Sequence, residues 1–178
     1  LDAGRKVVGW KIGLTSRAMQ SALGIDIPDS GILFDDMVFK NQSTVPKGRF
    51  IQPRVEAEIA FVMKSHLGGN DLRRQDVIDA TDYVAPSIEI LDTRIERFDA
   101  ATRKPRTVFD TISDNAANAG VVLGNTQNDV SGFDLRWIGA IATRNGTVEE
   151  TGLGAGVLND PIESVVWLAR RMAAYGQR

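Results

Sequence analysis

Apolar positions along this chain fall in short blocks, and blocks with a period of two outnumber those with a period near 3.6. Val7–Leu14 opens as an apolar strand. A short helix follows, capped by Thr15 or Ser16 and stopped at Gly24. Ile27–Gly31 reads as a turn into a strand over Ile32–Phe39, and a polar loop with Pro46 and Gly48 leads to the run beginning at Pro53. In that run Val55, Ala57, Ile59, Phe61 and Met63 fall on one side, and Arg54, Glu56, Glu58, Ala60 and Val62 on the other, which is the alternation of a strand. Gly68-Gly69-Asn70 ends it, Asp71 can cap a helix to about Tyr83, and a short strand is expected at Pro86–Leu91. Asp92–Asn118 is polar and aperiodic, which suits a binding loop or lid.

Ala119–Gly124 is a further buried strand. Trp137–Arg144 and Thr147–Thr151 form a hairpin around Asn145-Gly146, a pair suited to a type I′ turn. The last helix has Asp160 as N-cap, Pro161 at the first position and Glu163 to complete a capping box. Ile162, Val165, Val166, Ala169, Met172 and Ala173 make its apolar stripe, and Gly176 can stop it. Strands outnumber helices and a hairpin is present, so the pattern predicts an α+β or mostly-β domain rather than a βαβ repeat. The 178 residues suffice for one domain with a full core.

Composition narrows the chemistry more than the fold. No apolar run approaches membrane-spanning length, and the first residues do not read as a signal peptide. With no cysteine, disulfides, thiolate nucleophiles and sulfur-ligated metals are excluded, and a reducing compartment such as the cytosol fits. The 21 basic and 23 acidic residues form no basic stripe, so nucleic-acid binding has little support. His66, the single histidine, is expected at the surface, in the loop after the Glu56–Glu58 strand. Within this chain Ser-His-Asp catalysis and histidine zinc sites are therefore excluded. Any metal must be held by oxygen, which selects hard cations, and acid–base work falls to carboxylates, Lys, Tyr or water.

Against that background Glu56 and Glu58 stand out. Both leave one face of their strand, roughly 7 Å apart at the backbone, beside the apolar Ala60 and Val62. Either this is a charged outer face, or a cation resolves the repulsion. Glu89 sits among Ile88, Ile90 and Leu91; it either pairs with a residue such as Arg94 or joins the other two glutamates around a metal. Lys11, alternating with Trp10 and Ile12, either reaches solvent from an edge strand or stabilises an anion. Of Asp35 and Asp36, one is expected to point inward as a base and the other to serve the turn. Arg103, Lys104 and Arg106 are either solvated or part of a lid bringing positive charge to an anionic substrate. Gly152–Gly156 follows a hairpin rather than opening a helix, so it is no nucleotide fingerprint.

Five motifs occur in order: Gly9–Ser16, Gly31–Met37, Pro53–Phe61, Ile88–Asp92 and Ser113–Ala116. Together they resemble the 2-hydroxypentadienoate hydratase and 4-oxalocrotonate decarboxylase branch of the fumarylacetoacetate hydrolase superfamily, over essentially the whole chain. The resemblance implies a mixed β-rich α+β fold of that superfamily's C-terminal-domain type, with short helices packed outside, and a cytoplasmic homo-oligomer acting on a small dicarboxylate. It implies Mg²⁺ or Mn²⁺ held by Glu56, Glu58 and Glu89, with Lys11 and Asp35 as catalytic groups and Leu33 and Asn115 in substrate-binding motifs. Arg103 or Arg106 is expected to pair with the substrate's distal carboxylate.

The stretches Thr102–Gly120, Asp134–Trp137 and Arg144–Gly152 resemble branch members of homoprotocatechuate (4-hydroxyphenylacetate) breakdown. They imply hydration of 2-oxohept-4-ene-1,7-dioate. Decarboxylation of a related 2-oxo-dicarboxylate, hydration of 2-hydroxypenta-2,4-dienoate and an inactive binding homologue are the alternatives. The family's N-terminal helical segment and C-terminal strands have no counterpart here, so the chain is expected to match the central part of such an enzyme.

Overall fold

A computed structural model describes residues 4–177. The chain forms two compact units. The first contains the described residues up to Gly13, with Pro28–Glu58 and Ser87–Gly124; the second contains Leu14–Ile27, Ile59–Pro86 and the residues from Asn125 on.

In the first unit β1 (Val7–Gly13) pairs antiparallel with β2 (Asp29–Phe34), in a register that sets Gly9 opposite Leu33, Lys11 opposite Gly31 and Gly13 opposite Asp29. The expected strand over Ile32–Phe39 is thus corrected at both ends. It begins at Asp29, and a 3-10 turn over Asp35–Met37 separates it from the two-residue β3 (Val38–Phe39). The break comes from Asp35, whose Oδ1 accepts the amides of Lys6 and Asp36 and so favours a turn over a continued strand.

A four-stranded sheet has the order β3-β6-β5-β4, with β4 at Arg54–Met63, β5 at Thr81–Leu91 and β6 at Asn118–Leu123. β3 runs parallel to β6, and β5 antiparallel to it with Glu89 opposite Val121. The first four residues of β4 are all exposed, so burial there does not follow the alternation; Val55 is 71 % exposed.

The polar stretch Asp92–Asn118 is not one loop. Phe98 and Pro105 form a β-bridge, and Val108–Ser113 is a helix with a reciprocal cap. Thr107 donates its amide to Asp110 Oδ2 at 2.6 Å and accepts the Asp110 amide on Oγ1 at 3.4 Å. Asn115, Ala116 and Ala117 then follow with φ of 54°, 53° and 57°. Three successive left-handed residues without a glycine are costly, and side-chain bonds hold them. Arg94 binds Asp114 Oδ1 at 2.6 Å and the main-chain oxygens of Asp114 and Asn118.

The second unit holds the apolar core: Leu72, Val77, Val84, Val130, Leu135, Ile162, Val166 and Ala169, with Ile59 and Phe61 of β4 packed on it. α1 (Arg17–Leu23) starts at Ser16 and ends at Gly24 in the left-handed conformation, as expected. α2 (Arg74–Ala80) is shorter than expected and not capped by Asp71. Asp76 reaches back to the Arg73 amide at 2.7 Å, and Thr81 turns its hydroxyl onto the Val77 carbonyl, after which β-branched and aromatic residues continue as β5. The Val108–Ser113 helix is α3.

The hairpin consists of β7 (Gly139–Arg144) and β8 (Thr147–Leu153), with Asn145 and Gly146 both at positive φ; Trp137 belongs to a preceding 3-10 turn instead. In α4 (Pro161–Ala174) Asp160 caps the Ile162 amide at 3.0 Å, while its other carboxylate oxygen binds Arg74. The Glu163 amide goes to the Asp160 main-chain oxygen, so the expected capping box is not formed. Gly176 and Gln177 bond back to Ala173 and Met172, closing the helix in a Schellman turn.

Candidate metal centre

Glu56 and Glu58 lie two residues apart on β4, and Glu89 lies on the neighbouring β5. The sheet brings one carboxylate oxygen from each within 4.8 Å of the others. Glu56 is exposed, Glu58 half-buried and Glu89 only 5 % exposed. Burial, ahead of repulsion from Glu89 and Glu56, pushes Glu58 up to about 7. Burial likewise dominates at Glu89 and overrides the lowering effect of Lys11, again giving about 7. Glu89 Oε1 is buried without a hydrogen-bond partner. Three crowded carboxylates, one of them with an orphaned oxygen, fit a hard divalent cation bound through oxygen.

Among the described residues, Lys11 is the cation that pairs with the cluster. Its side chain is 11 % exposed, and Nζ stands 3.5 Å from Glu89 Oε1 and 4.0 Å from Asp29 Oδ1. Asp29 is a site residue that the sequence reading missed. It is buried with Oδ1 unpartnered, and burial raises its carboxyl against the lowering effects of Lys11 and the Gly13 amide. Within the sequence it looks like a turn residue; only the β1–β2 register sets it opposite Gly13 and beside Lys11.

Other expected site residues are distributed differently. Arg94 is not the partner of Glu89, because it is taken by Asp114. Neither Asp35 nor Asp36 points inward: both are exposed, Asp35 on backbone amides and Asp36 between Arg5 and Arg49. Leu33 is half-buried opposite Gly9, on the ribbon face that carries Lys11 and Asp29. Asn115 accepts the Ile32 amide at 2.7 Å and donates to the Ile32 carbonyl at 2.9 Å, so both ends of its amide are engaged. Arg103 lies over the Phe98 ring and Arg106 donates to Thr93 Oγ1; among the described residues neither forms a salt bridge. An open cleft of about 690 Å³ in the same unit is lined by Ile32, Phe34 and Asn115 together with Arg5, Arg49 and Arg94.

Strand-borne carboxylates converging beside a half-buried lysine, on a mixed sheet with short helices, make this an α+β protein whose glutamate cluster could hold a metal ion through oxygen. No protein-family model matches the chain. It is 53 % identical over 172 residues to 2-oxo-hept-4-ene-1,7-dioate hydratase of Escherichia coli, covering 97 % of this chain and 64 % of that protein. It is 38 % identical over 177 residues to 2-hydroxypent-2,4-dienoate hydratase of Pseudomonas putida, covering 99 % of this chain and 77 % of that protein. Its structure matches 4-oxalocrotonate decarboxylase from Pseudomonas putida G7, complexed with magnesium and adipate, with a TM-score of 0.87 and 35 % identity over 99 % of this chain and 65 % of that one.

The chain belongs to the hydratase and decarboxylase branch of the fumarylacetoacetate hydrolase superfamily. It spans 64 % of the length of the Escherichia coli relative. Among the described residues, no helix is long and apolar enough to cross a membrane.

Proposed function

We propose that the protein is a divalent-metal-dependent hydratase that adds water to 2-oxohept-4-ene-1,7-dioate, the keto form of 2-hydroxyhepta-2,4-diene-1,7-dioate, to give 4-hydroxy-2-oxoheptanedioate. The observation carrying this reading is the convergence of Glu56, Glu58 and Glu89 beside Lys11, in a chain 53 % identical to a hydratase named for that substrate. Mg²⁺ or Mn²⁺ held by the three glutamates would supply Lewis-acid polarisation of the substrate's 2-oxo and carboxylate oxygens.

The remaining steps use the chain's own residues. Lys11 holds a positive charge at the edge of the cluster, where negative charge develops on the 2-oxo oxygen. We assign proton transfer to Asp29 rather than to Asp35, since Asp29 is buried beside Lys11 and its carboxyl is raised, which suits a group that both gives and takes a proton. A proton reaches C5 as the dienol hydroxyl loses one, giving the conjugated enone. The oxygen of a water then adds at C4 and a proton reaches C3, so one water is consumed overall. Leu33 adds an apolar side chain to the ribbon face that carries Lys11 and Asp29.

Incubating the protein with 2-oxohept-4-ene-1,7-dioate and Mg²⁺ tests the reading by product mass. Gain of one water is expected, and an unchanged substrate mass would remove it. A decarboxylase of a related 2-oxo-dicarboxylate is the second reading, favoured by the TM-score of 0.87 with 4-oxalocrotonate decarboxylase; loss of CO₂ in the same experiment would establish it. The reading extends to a cytosolic homo-oligomer in homoprotocatechuate breakdown. Exposed Ile141, Val148 and Leu153 on the hairpin support the assembly, and a monomer by sedimentation would exclude it.

A further inference from the structure

We propose that Gly13 is a positioning residue: the absence of a side chain there lets Lys11 and Asp29 meet beside Glu89. Its kinetic consequence rests on the hydratase reading; its steric basis does not. On a strand, residues two apart and their cross-strand partners share a face. One face of the β1–β2 ribbon therefore carries Gly9 opposite Leu33, Lys11 opposite Gly31 and Gly13 opposite Asp29.

A Cβ on Gly13 would overlap Asp29 Oδ1 and stand 2.9 Å from Lys11 Nζ. One on Gly9 would meet Leu33 Cδ1 at 3.5 Å, an ordinary contact, so the face is not uniformly closed to side chains. Gly13 is not among the positive-φ residues, and its backbone is open to any amino acid. Space is what the position requires. Lys11 uses it by leaning along its own strand over residue 13, which brings its ammonium to both Asp29 and Glu89. Both atoms meeting a new methyl are tips of flexible side chains, so the displacement falls on the Lys11–Asp29 pair rather than on the β1–β2 ladder.

The experiment compares Gly13→Ala in the natural background and in Asp29→Ala, by thermal unfolding and by steady-state kinetics. In the natural background the midpoint should fall by about 2–4 °C, the scale of a modest local penalty in a chain of this size. In Asp29→Ala it should stay or rise, because Ala is otherwise favoured over Gly inside a strand. Gly13→Ala should lower kcat by about 10-fold or more, as misplacement of a reacting group by a fraction of an ångström does, with KM within about 3-fold.

Equal melting shifts in the two backgrounds would overturn the proposal, as would an unchanged kcat. Should Gly13→Ala alone fail to fold, rescue by Asp29→Ala supports the proposal and absence of rescue overturns it. Lack of turnover in the unmodified protein would defeat the hydratase reading alone, since the pair of melting shifts still decides the role of Gly13.

Discussion

Lys11 and Glu89 form an ion pair at 3.5 Å that leaves Glu89 Oε1 without a hydrogen-bond donor. The pair is too long to satisfy the carboxylate and too close to ignore, so Glu89 retains an acceptor for another cation. Glu89→Gln keeps the shape of the side chain and removes its charge. We expect Mn²⁺ affinity, read by calorimetric titration, to fall by about 100-fold or more, since even losing an outer partner of a ligand costs 10–100-fold. The melting temperature without metal should hold or rise above about pH 7, because the cost of burying the Glu89 carboxylate and its repulsion by Glu56 outweigh its attraction to Lys11. Unchanged Mn²⁺ affinity would remove Glu89 from the site.

The raised carboxyls of Glu58 and Glu89 fix the sign of a pH effect. Each has a folded value of about 7 against an ordinary value of 4.5. Between these values the folded state binds more protons than the unfolded chain, so stability falls as pH rises from about 4.5 to about 7 and this contribution is flat above. In EDTA, melting temperature should decline across that window. With excess Mg²⁺ the decline should flatten, and Mn²⁺ binding below pH 7 should release protons into buffer. A metal-free profile rising through the window would contradict the assignment.

Arg94 holds Asp114 and the carbonyls on either side of the left-handed turn. Arg94→Ala should destabilise the protein by about 1–3 kcal/mol, the range for loss of charge-assisted bonds that leave acceptors unpaired. Chemical denaturation measures it, and a change below about 0.5 kcal/mol, the ordinary surface value, would show that the turn stands without this clasp.

Leu135 is 1 % exposed in the core of the second unit. Leu135→Ala should cost about 2–5 kcal/mol, seen as a lower denaturant midpoint. The slope should stay constant if the denatured state is unaffected.

The elements legible in the sequence were those whose signals are local. Ser16 and Gly24 bracket α1, Asn145-Gly146 marks the hairpin, and Asp160-Pro161 opens α4, each through contacts spanning a few residues. The sequence marks Glu56 and Glu58 by their shared strand and Glu89 by its apolar neighbours, but no local pattern says that the three meet. Asp29 was not legible, because its partnership with Lys11 depends on the register between two strands, which no local pattern specifies. α3 carried a readable cap in Thr107 and Asp110, but six residues with Phe109 75 % exposed offer no apolar stripe to confirm it. The start of α2 was misplaced because the capping carboxylate reaches back from inside the helix, at Asp76 rather than Asp71.

Asn115 presents to Ile32 one acceptor and one donor, in the manner of a peptide unit on a neighbouring strand, and Asn118 adds a second donor to the same carbonyl. Among the described residues β2 is otherwise paired only with β1, and an open strand edge recruits other chains. The amide of Asn115 acts as a stopper on that edge at its midpoint, a one-residue counterfeit of a third strand. Its loss should therefore surface as self-association that grows with protein concentration, so Asn115 guards solubility as well as shape.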